Sequence, residues 1–247
     1  RKEAIKYYNP KNIINKQTLN HIQPYTFKYH KAKLGILLKE NPSFASLKDY
    51  IEKINSDKFP HHIFTHHQEN IKNNRASNVN FNYLDVDINK KENLSIKLAK
   101  LALSLATTNK DRHQKIQNFM LINDSITIAT EVPTYLTNWD ADYYKYKKGF
   151  VFPLNNYSTP ITGHIDILQI SNGLIYILDY KPNADKINPI EQLTLYAMAL
   201  SKKLNLPLYS FKAAWFDESN YYEFFPLHAV YEKQSTMKKE KPLIIEK

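Results

Sequence analysis

Residues 161–200, ITGHIDILQISNGLIYILDYKPNADKINPIEQLTLYAMAL, decide how the rest of the chain is read. Two runs rich in β-branched and aromatic residues flank Asn172-Gly173, and Asn-Gly between such runs signals a two-residue hairpin turn. With Ser171 and Leu174 as the pair next to the turn, counting back along both strands sets Asp166 directly opposite Asp179. Directly opposed side chains have Cβ atoms about 4.5–5.5 Å apart on one face, where like charges repel. Side chains alternate along a strand, so Lys181 shares the face of Asp179. Pro182, which has no amide hydrogen, ends the second strand. Asn188-Pro189-Ile190-Glu191 then reads as N-cap, first-turn proline and third-position glutamate, a capping-box variant that opens a helix to about Lys203. Gln192 and Tyr196, four apart, share one face of that helix beside the second strand.

Two carboxylates and an ammonium are thus expected on a sheet whose neighbours, Ile165, Ile167, Leu168, Ile177 and Leu178, are apolar. Opposed buried carboxylates are costly unless one is protonated or a cation bridges them. Oxygen ligands suit a hard divalent ion such as Mg²⁺, with water and substrate phosphate completing its shell. Asp166, Asp179-x-Lys181 and such an ion would make a site for phosphodiester hydrolysis. The alternative reading is a hairpin with surface charges, in which Asp179 and Lys181 are a solvated pair.

The same residues resemble the RecB-type branch of the PD-(D/E)xK nuclease superfamily. Gly163-His164-Ile165-Asp166 matches its G-x-x-D motif, Asp179-Tyr180-Lys181 its D-x-K strand, and Gln192 with Tyr196 its Q-x-x-x-Y helix. The motifs occur in the family's order, with 13 positions from Asp166 to Asp179 and 11 from Lys181 to Gln192. About forty residues match closely. The resemblance implies an α/β fold, a restriction-endonuclease-like core with a mixed central sheet of about four or five strands flanked by helices. It assigns Asp166 and Asp179 to Mg²⁺ or Mn²⁺, Lys181 to the attacking water and the phosphorane charge, and Gln192 and Tyr196 to steadying the catalytic site.

Upstream, residues 92–106, ENLSIKLAKLALSLA, read as an amphipathic helix through Leu94, Leu98, Leu101 and Leu105. A second helix, about 110–122, carries His113, Ile116, Gln117 and Met120 on one stripe, which makes His113 a core histidine on pattern alone. RecB-type nucleases carry a metal-binding histidine on a helix before the first aspartate, and the resemblance makes His113, 53 positions ahead of Asp166, that ligand. The family's small residue before this histidine is replaced by Asp111-Arg112. The next strand, Ser125–Val132, ends in Glu131-Val132-Pro133, where Glu131 is either a further metal ligand or a rim charge. Tyr143-Tyr144-Lys145-Tyr146-Lys147-Lys148 is a basic-aromatic segment suited to nucleic-acid contact. Leu208–Phe216 and Tyr221–Phe225 read as a final hairpin.

In residues 1–40 no clean period shows; Tyr7, Tyr8, Tyr25, Phe27 and Tyr29 interleave with Lys6, Lys11, Lys28, Lys31 and Lys33 and serve either the core or stacked bases. Asn41-Pro42 signals a helix start ahead of Phe44, Leu47, Tyr50, Ile51 and Ile54. His61-His62 and His66-His67 lack the acidic residue of an H-E-x-x-H zinc motif. Residues 70–91 look like a loop around a short strand, Val79–Val86. The expected organisation is a helical, basic N-terminal extension over 1–91, a nuclease core over 92–231, and a basic tail over 232–247 with Lys238, Lys239 and Lys241.

Composition narrows the function. Residues 1–100 hold 18 Lys and Arg against 9 Asp and Glu, whereas the remainder holds 16 against 15. A basic first part beside a near-neutral catalytic part suits gripping phosphates, the other reading being a surface kept basic for solubility. The absence of cysteine rules out disulfides, thiol nucleophiles and the four-cysteine iron–sulfur cluster of some RecB-type nucleases. No apolar run is long enough for a membrane span, and an intracellular protein is expected, of cytoplasm or nucleoid, with an organelle matrix or a viral or mobile-element origin as the alternatives. The expected activity is metal-dependent DNA hydrolysis, by an exonuclease on single strands or free ends in replication, recombination or repair. A structure-specific or restriction-type endonuclease and a non-catalytic nucleic-acid-binding module are the alternatives.

Overall fold

The computed structural model describes residues 13–65, 75–104, 111–151 and 159–232. Tyr7, Tyr8, Lys6, Lys11, His66, His67, Leu105 and the tail lysines lie outside them. Strands β1 (Ile14–His21), β2 (Gln23–His30), β3 (Asn89–Lys90), β4 (Thr127–Leu136), β5 (Ile161–Ser171), β6 (Leu174–Tyr180), β7 (Phe211–Phe216) and β8 (Tyr221–Phe224) form one sheet. Their order is β1-β2-β4-β5-β6-β7-β8-β3, eight strands where four or five were expected. Helices α1 (Lys31–Glu40), α2 (Ala45–Lys53), α3 (Leu94–Ser104), α4 (Arg112–Asn123), α5 (Asn138–Asp142), α6 (Ile190–Leu204) and α7 (Pro226–Val230) flank it. None of the described helices is long and apolar enough to cross a membrane.

The β5–β6 hairpin follows its sequence signal. Ser171 pairs with Leu174 and the ladder runs back to Ile167 opposite Leu178, with Asn172 and Gly173 at φ 51° and 69° in the left-handed turn. Strand β6 then pairs in parallel with β7, a geometry that needs a crossover, and α6 supplies it. Being central, β5 and β6 are apolar on both faces. Ile167, Leu178 and Tyr180 pack with Ile116 and Met120 of α4 and Ala99 of α3 on one side. Ile165, Leu168 and Ile177 pack with Leu193 and Ala197 of α6 on the other, in a buried cluster that also takes in Leu19 and Phe27.

The N-terminal region departs most from expectation. Residues 14–30 form a β-hairpin, not a helix, and β2 extends the main sheet through Lys28 opposite Thr130 and Tyr29 opposite Ala129. The alternation of Tyr25, Phe27 and Tyr29 is a strand period, masked because the turn is made by Ile22 at φ 62°, a conformation β-branched residues rarely take. Part of the basic charge is structural. Lys33 Nζ donates to the carbonyls of Leu121 and Asp124, both at 2.6 Å, closing the C-terminal end of α4, where cations are favoured.

Smaller corrections have local causes. Asn41 closes α1 by donating from its amide nitrogens to Leu37 O, and Pro42 opens a 3-10 turn ahead of α2. Val79–Val86 has no ladder, and the strand of that region is β3. Helix α3 buries Ser95, Ile96, Leu98, Ala99 and Ala102, leaving Leu94 and Leu101 more than half exposed, because small residues let the helix lie close to its neighbours. Strand β4 continues through Pro133 to Leu136, since β2 has already parted from it and no partner needs that amide. Pro189 takes the cap position of α6, while Asn188 Oδ1 still accepts from Ile190 N at 3.3 Å.

Candidate functional site

Strand β6 leaves β5 after Leu178 but stays on β7 to Tyr180, and Lys181 N then donates to Phe216 O. Asp166 and Asp179 stand where the two strands part, and Tyr180 N donates to Asp166 Oδ2 at 3.3 Å. Burial and the charge of Asp166 push Asp179 well above the usual carboxylate range. Burial also pushes Asp166 up, but bonds from His113 and Asp179 and the charges of His113 and Lys181 outweigh it and leave it low. Lys181 Nζ lies 2.7 Å from Asp179 Oδ2. Burial lowers this ammonium's pKa, and Asp179 and Asp166 raise it further than burial lowers it, so it stays charged. The pair is close in distance but out of hydrogen-bond alignment, and buried Asp179 Oδ2 accepts from no aligned donor.

Glu131 comes from the neighbouring strand. It falls between the ladder pairs Thr130–Ile167 and Val132–Ile165, which sets it opposite Asp166, with its backbone in the left-handed region at φ 53°. For a residue with a Cβ this is a strained position of the kind found at functional sites. Gln117 Nε2 donates to Glu131 Oε1 at 2.7 Å. Burial, then the charge of Asp166, pushes the Glu131 carboxyl up to about 8. One helical turn before Gln117, His113 sets Nδ1 at 3.5 Å from Asp166 Oδ2, its ring edge-on to Tyr180. His113 is 47% exposed and so closes the open side of the cluster rather than joining the core. Arg112 pins this end of α4, with Nη2 2.8 Å from Glu218 Oε1 and Nε donating to Tyr180 Oη at 3.2 Å.

Helix α6 covers the parting point. Gln192 Nε2 donates to Tyr196 Oη at 3.0 Å, and burial, then Asp179, pushes the Tyr196 phenol up. A Cβ on Gly163 would fall 2.3 Å from the Tyr196 ring, so the strand must carry glycine where the tyrosine crosses it. That contact joins the G-x-x-D strand to the Q-x-x-x-Y helix.

The segment Tyr143–Lys147 is a π-helical turn after α5, away from the carboxylates. Tyr144 is buried, its hydroxyl hydrogen-bonded with Met198 O and Ser201 Oγ, so it anchors α6 and has no face for a base. Tyr146 is 71% exposed beside Lys145, and Lys147 and Lys148 are exposed. Tyr143 has Lys202 Nζ 3.5 Å from its ring centre. With Lys148, Tyr209 and Tyr231 it lines a cavity of about 410 Å³. At about 1.5 Å of helix per residue, Ser201 on that cavity is about 14 Å from Gln192.

Sequence reasoning passed over a second cluster. His164, two residues before Asp166, is buried with Nε2 2.8 Å from His21 Nδ1, and His21 Nε2 is 2.9 Å from His61 Nδ1. His61 Nε2 donates to Ile54 O at 3.1 Å. Burial, then His61, lowers the His21 pKa to about 4. His21 therefore ties the β1–β2 hairpin to the strand of Asp166. No sequence spacing announces this, since three distant segments meet only through the sheet.

Among the described residues no group of three or more His, Asp or Glu side chains stands ready to hold a metal ion. Glu131, Asp166, Asp179 and His113 nevertheless offer the donors that would hold a hard divalent cation. Lifted carboxyl pKa values and an unaligned buried carboxylate oxygen mark a cluster short of positive charge. No family model, characterised protein or solved structure matches this chain.

Proposed function

We propose that this protein is a metal-dependent deoxyribonuclease of the PD-(D/E)xK type, acting on single-stranded DNA or DNA ends. The observation that carries the reading is the gathering, at one parting of strands, of Glu131, Asp166 and Asp179 from three adjacent strands with Lys181 2.7 Å from Asp179. Gln192 and Tyr196 of α6 close over the same point, against Gly163 of β5. Asp166, Asp179, Glu131 and His113 would hold Mg²⁺ or Mn²⁺, which when bound polarises the phosphate and lowers the pKa of water. Lys181, charged beside Asp179, is a donor: it orients the attacking water and offsets charge on the phosphorane. Water oxygen bonds to phosphorus, one P–O ester bond breaks, and the leaving sugar oxygen takes up a proton. Gln192 and Tyr196 steady the site by bracing β5 at Gly163, three residues before Asp166. Tyr146, exposed among Lys145, Lys147 and Lys148, and Tyr143 beside them would grip a strand away from the site, with the Tyr146 ring open to an unpaired base.

The test is incubation of linear and circular DNA, single- and double-stranded, with Mg²⁺, Mn²⁺ or EDTA. Loss of linear single strands with either metal and none with EDTA is expected, closed circles staying intact. Cut circles would make the enzyme an endonuclease, and binding without cutting under any metal would overturn the catalytic reading.

A further inference from the structure

Arg75 stands beside the carboxylates without pairing to them. Its backbone bridges in parallel to Thr162, four residues before Asp166, and it heads the 3-10 turn Ala76–Asn78. Its Nη2 donates to Tyr25 Oη, which also accepts from Gln23 Nε2 at 2.7 Å. The Tyr25 ring lies 3.6 Å from the His164 ring and 11° from parallel to it, so the histidine chain backs the tyrosine that holds the guanidinium. The Arg75 charge is felt at Glu131, His164 and Tyr196. A guanidinium carries five N–H donors, and Tyr25 takes one. Arg112 spends its donors on Glu218 and Tyr180, whereas for partly exposed Arg75 no ion pair with a described carboxylate is seen.

Resting on the nuclease reading, we propose that Arg75 is a phosphate clamp: its fork grips a backbone phosphate flanking the one that is cut. The paired N–H groups match phosphate oxygens as an ammonium cannot. The bridge sets the Arg75 backbone beside Thr162, about 13 Å along extended strand from the Asp166 backbone, and Tyr25 fixes the fork's direction. With its Nη2 on Tyr25 rather than on a carboxylate of the cluster, the fork meets a flanking phosphate and not the scissile one.

The test measures affinity for an end-labelled single-stranded oligodeoxynucleotide as KCl is raised, with EDTA present so that nothing is cut. Arg75→Gln should bind about tenfold more weakly, with a log–log salt slope shallower by about 0.7, the value for one single-strand phosphate contact. Arg75→Lys should keep the slope yet bind several-fold more weakly, because it keeps the charge and loses the fork. In cleavage with Mn²⁺, both variants should raise KM more than they lower kcat. If Arg75→Gln melts lower but binds with wild-type slope and affinity, Arg75 only ties the hairpin down and the clamp is wrong. Should Arg75→Gln not fold, Arg75→Lys decides: wild-type affinity overturns the fork. A wild-type protein that neither binds nor cuts the oligonucleotide would instead sink the nuclease reading itself.

Discussion

Two buried acidic clusters sit in this sheet and are built in opposite ways. On β8, Glu223 is 1% exposed, and its Oε1 lies 2.7 Å from Lys91 Nζ and 2.6 Å from Lys212 Nζ. Its Oε2 accepts from Tyr221 Oη at 3.3 Å. Burial pushes this carboxyl up, but the two lysines outweigh it and hold it below its usual range. At the parting of β5 and β6, three carboxylates share one lysine and a half-exposed histidine. There burial and mutual repulsion win, and Asp179 and Glu131 are driven up. One acid with two cations is a finished structural tie that holds the β3 segment to β7 and β8. Three acids with one ammonium lack positive charge, which a divalent ion would supply.

The sharpest way to break this contrast is to remove a carboxylate from the second cluster. Asp179→Asn should abolish hydrolysis, yet melt no lower than wild type in EDTA, because it deletes repulsion along with a ligand. Metal should raise its melting temperature little, whereas wild type should gain by binding metal only when folded. Lys181→Ala should lose activity by roughly 10²–10³-fold. It should still be stabilised by metal and still bind DNA. Equal metal stabilisation of Asp179→Asn and wild type, read by thermal melting, would remove the carboxylates from any metal site.

The second cluster was legible because one turn signal sets it. Asn172-Gly173 fixes the hairpin register, and from that register the meeting of Asp166, Asp179 and Lys181 follows. The finished tie was not legible, since Lys91, Lys212 and Glu223 come together only through the pairing of three strands. Arg75 and His164 escaped for the same reason, their partners Tyr25 and His21 lying on a hairpin that turns at Ile22 instead of glycine or asparagine. Tyr144 read as a contact residue because its neighbours are lysines; pattern alone cannot tell that its hydroxyl is used by α6. Eight strands were undercounted because the turn between β1 and β2 falls at Ile22, which hides their alternation, and the two-residue β3 is too short to alternate.

Glu223→Gln tests the finished tie. It leaves Lys212 with a neutral partner in a buried place, and breaking a buried pair costs about 3 kcal/mol. At about 2–4 °C per kcal/mol for a chain of this size, the melting temperature should fall by roughly 6–12 °C. Activity per folded molecule should be unchanged. Because its folded pKa is depressed, Glu223 contributes stability that is present above the ordinary glutamate range and lost as pH falls through the folded value. The variant should therefore lose least, relative to wild type, in acid. A melting curve equal to wild type at neutral pH would show that the two lysines are surface charges and the contrast is only apparent.

The smallest effect is the pH dependence of the unfinished cluster, and its sign is opposite. Glu131, raised to about 8, keeps a proton in the folded protein that the unfolded chain has released by neutral pH, and Asp179 is shifted in the same direction. Wherever the folded state binds more protons, stability falls as pH rises, at roughly 1.4 kcal/mol per pH unit for each proton held. In EDTA, melting temperature should therefore decline between pH 6 and pH 8. Glu131→Gln should flatten that decline without lowering stability at pH 8, because glutamine carries no charge to bury. Glu223→Gln should leave the decline as it is. Mn²⁺ should oppose it, since an ion that displaces protons binds more tightly as they become easier to remove. Its stabilisation should thus grow from pH 6 to pH 8 in wild type and grow less in Glu131→Gln. A melting temperature that rises with pH in EDTA would mean that the three carboxylates are solvated and apart, and the difference between the two clusters would vanish.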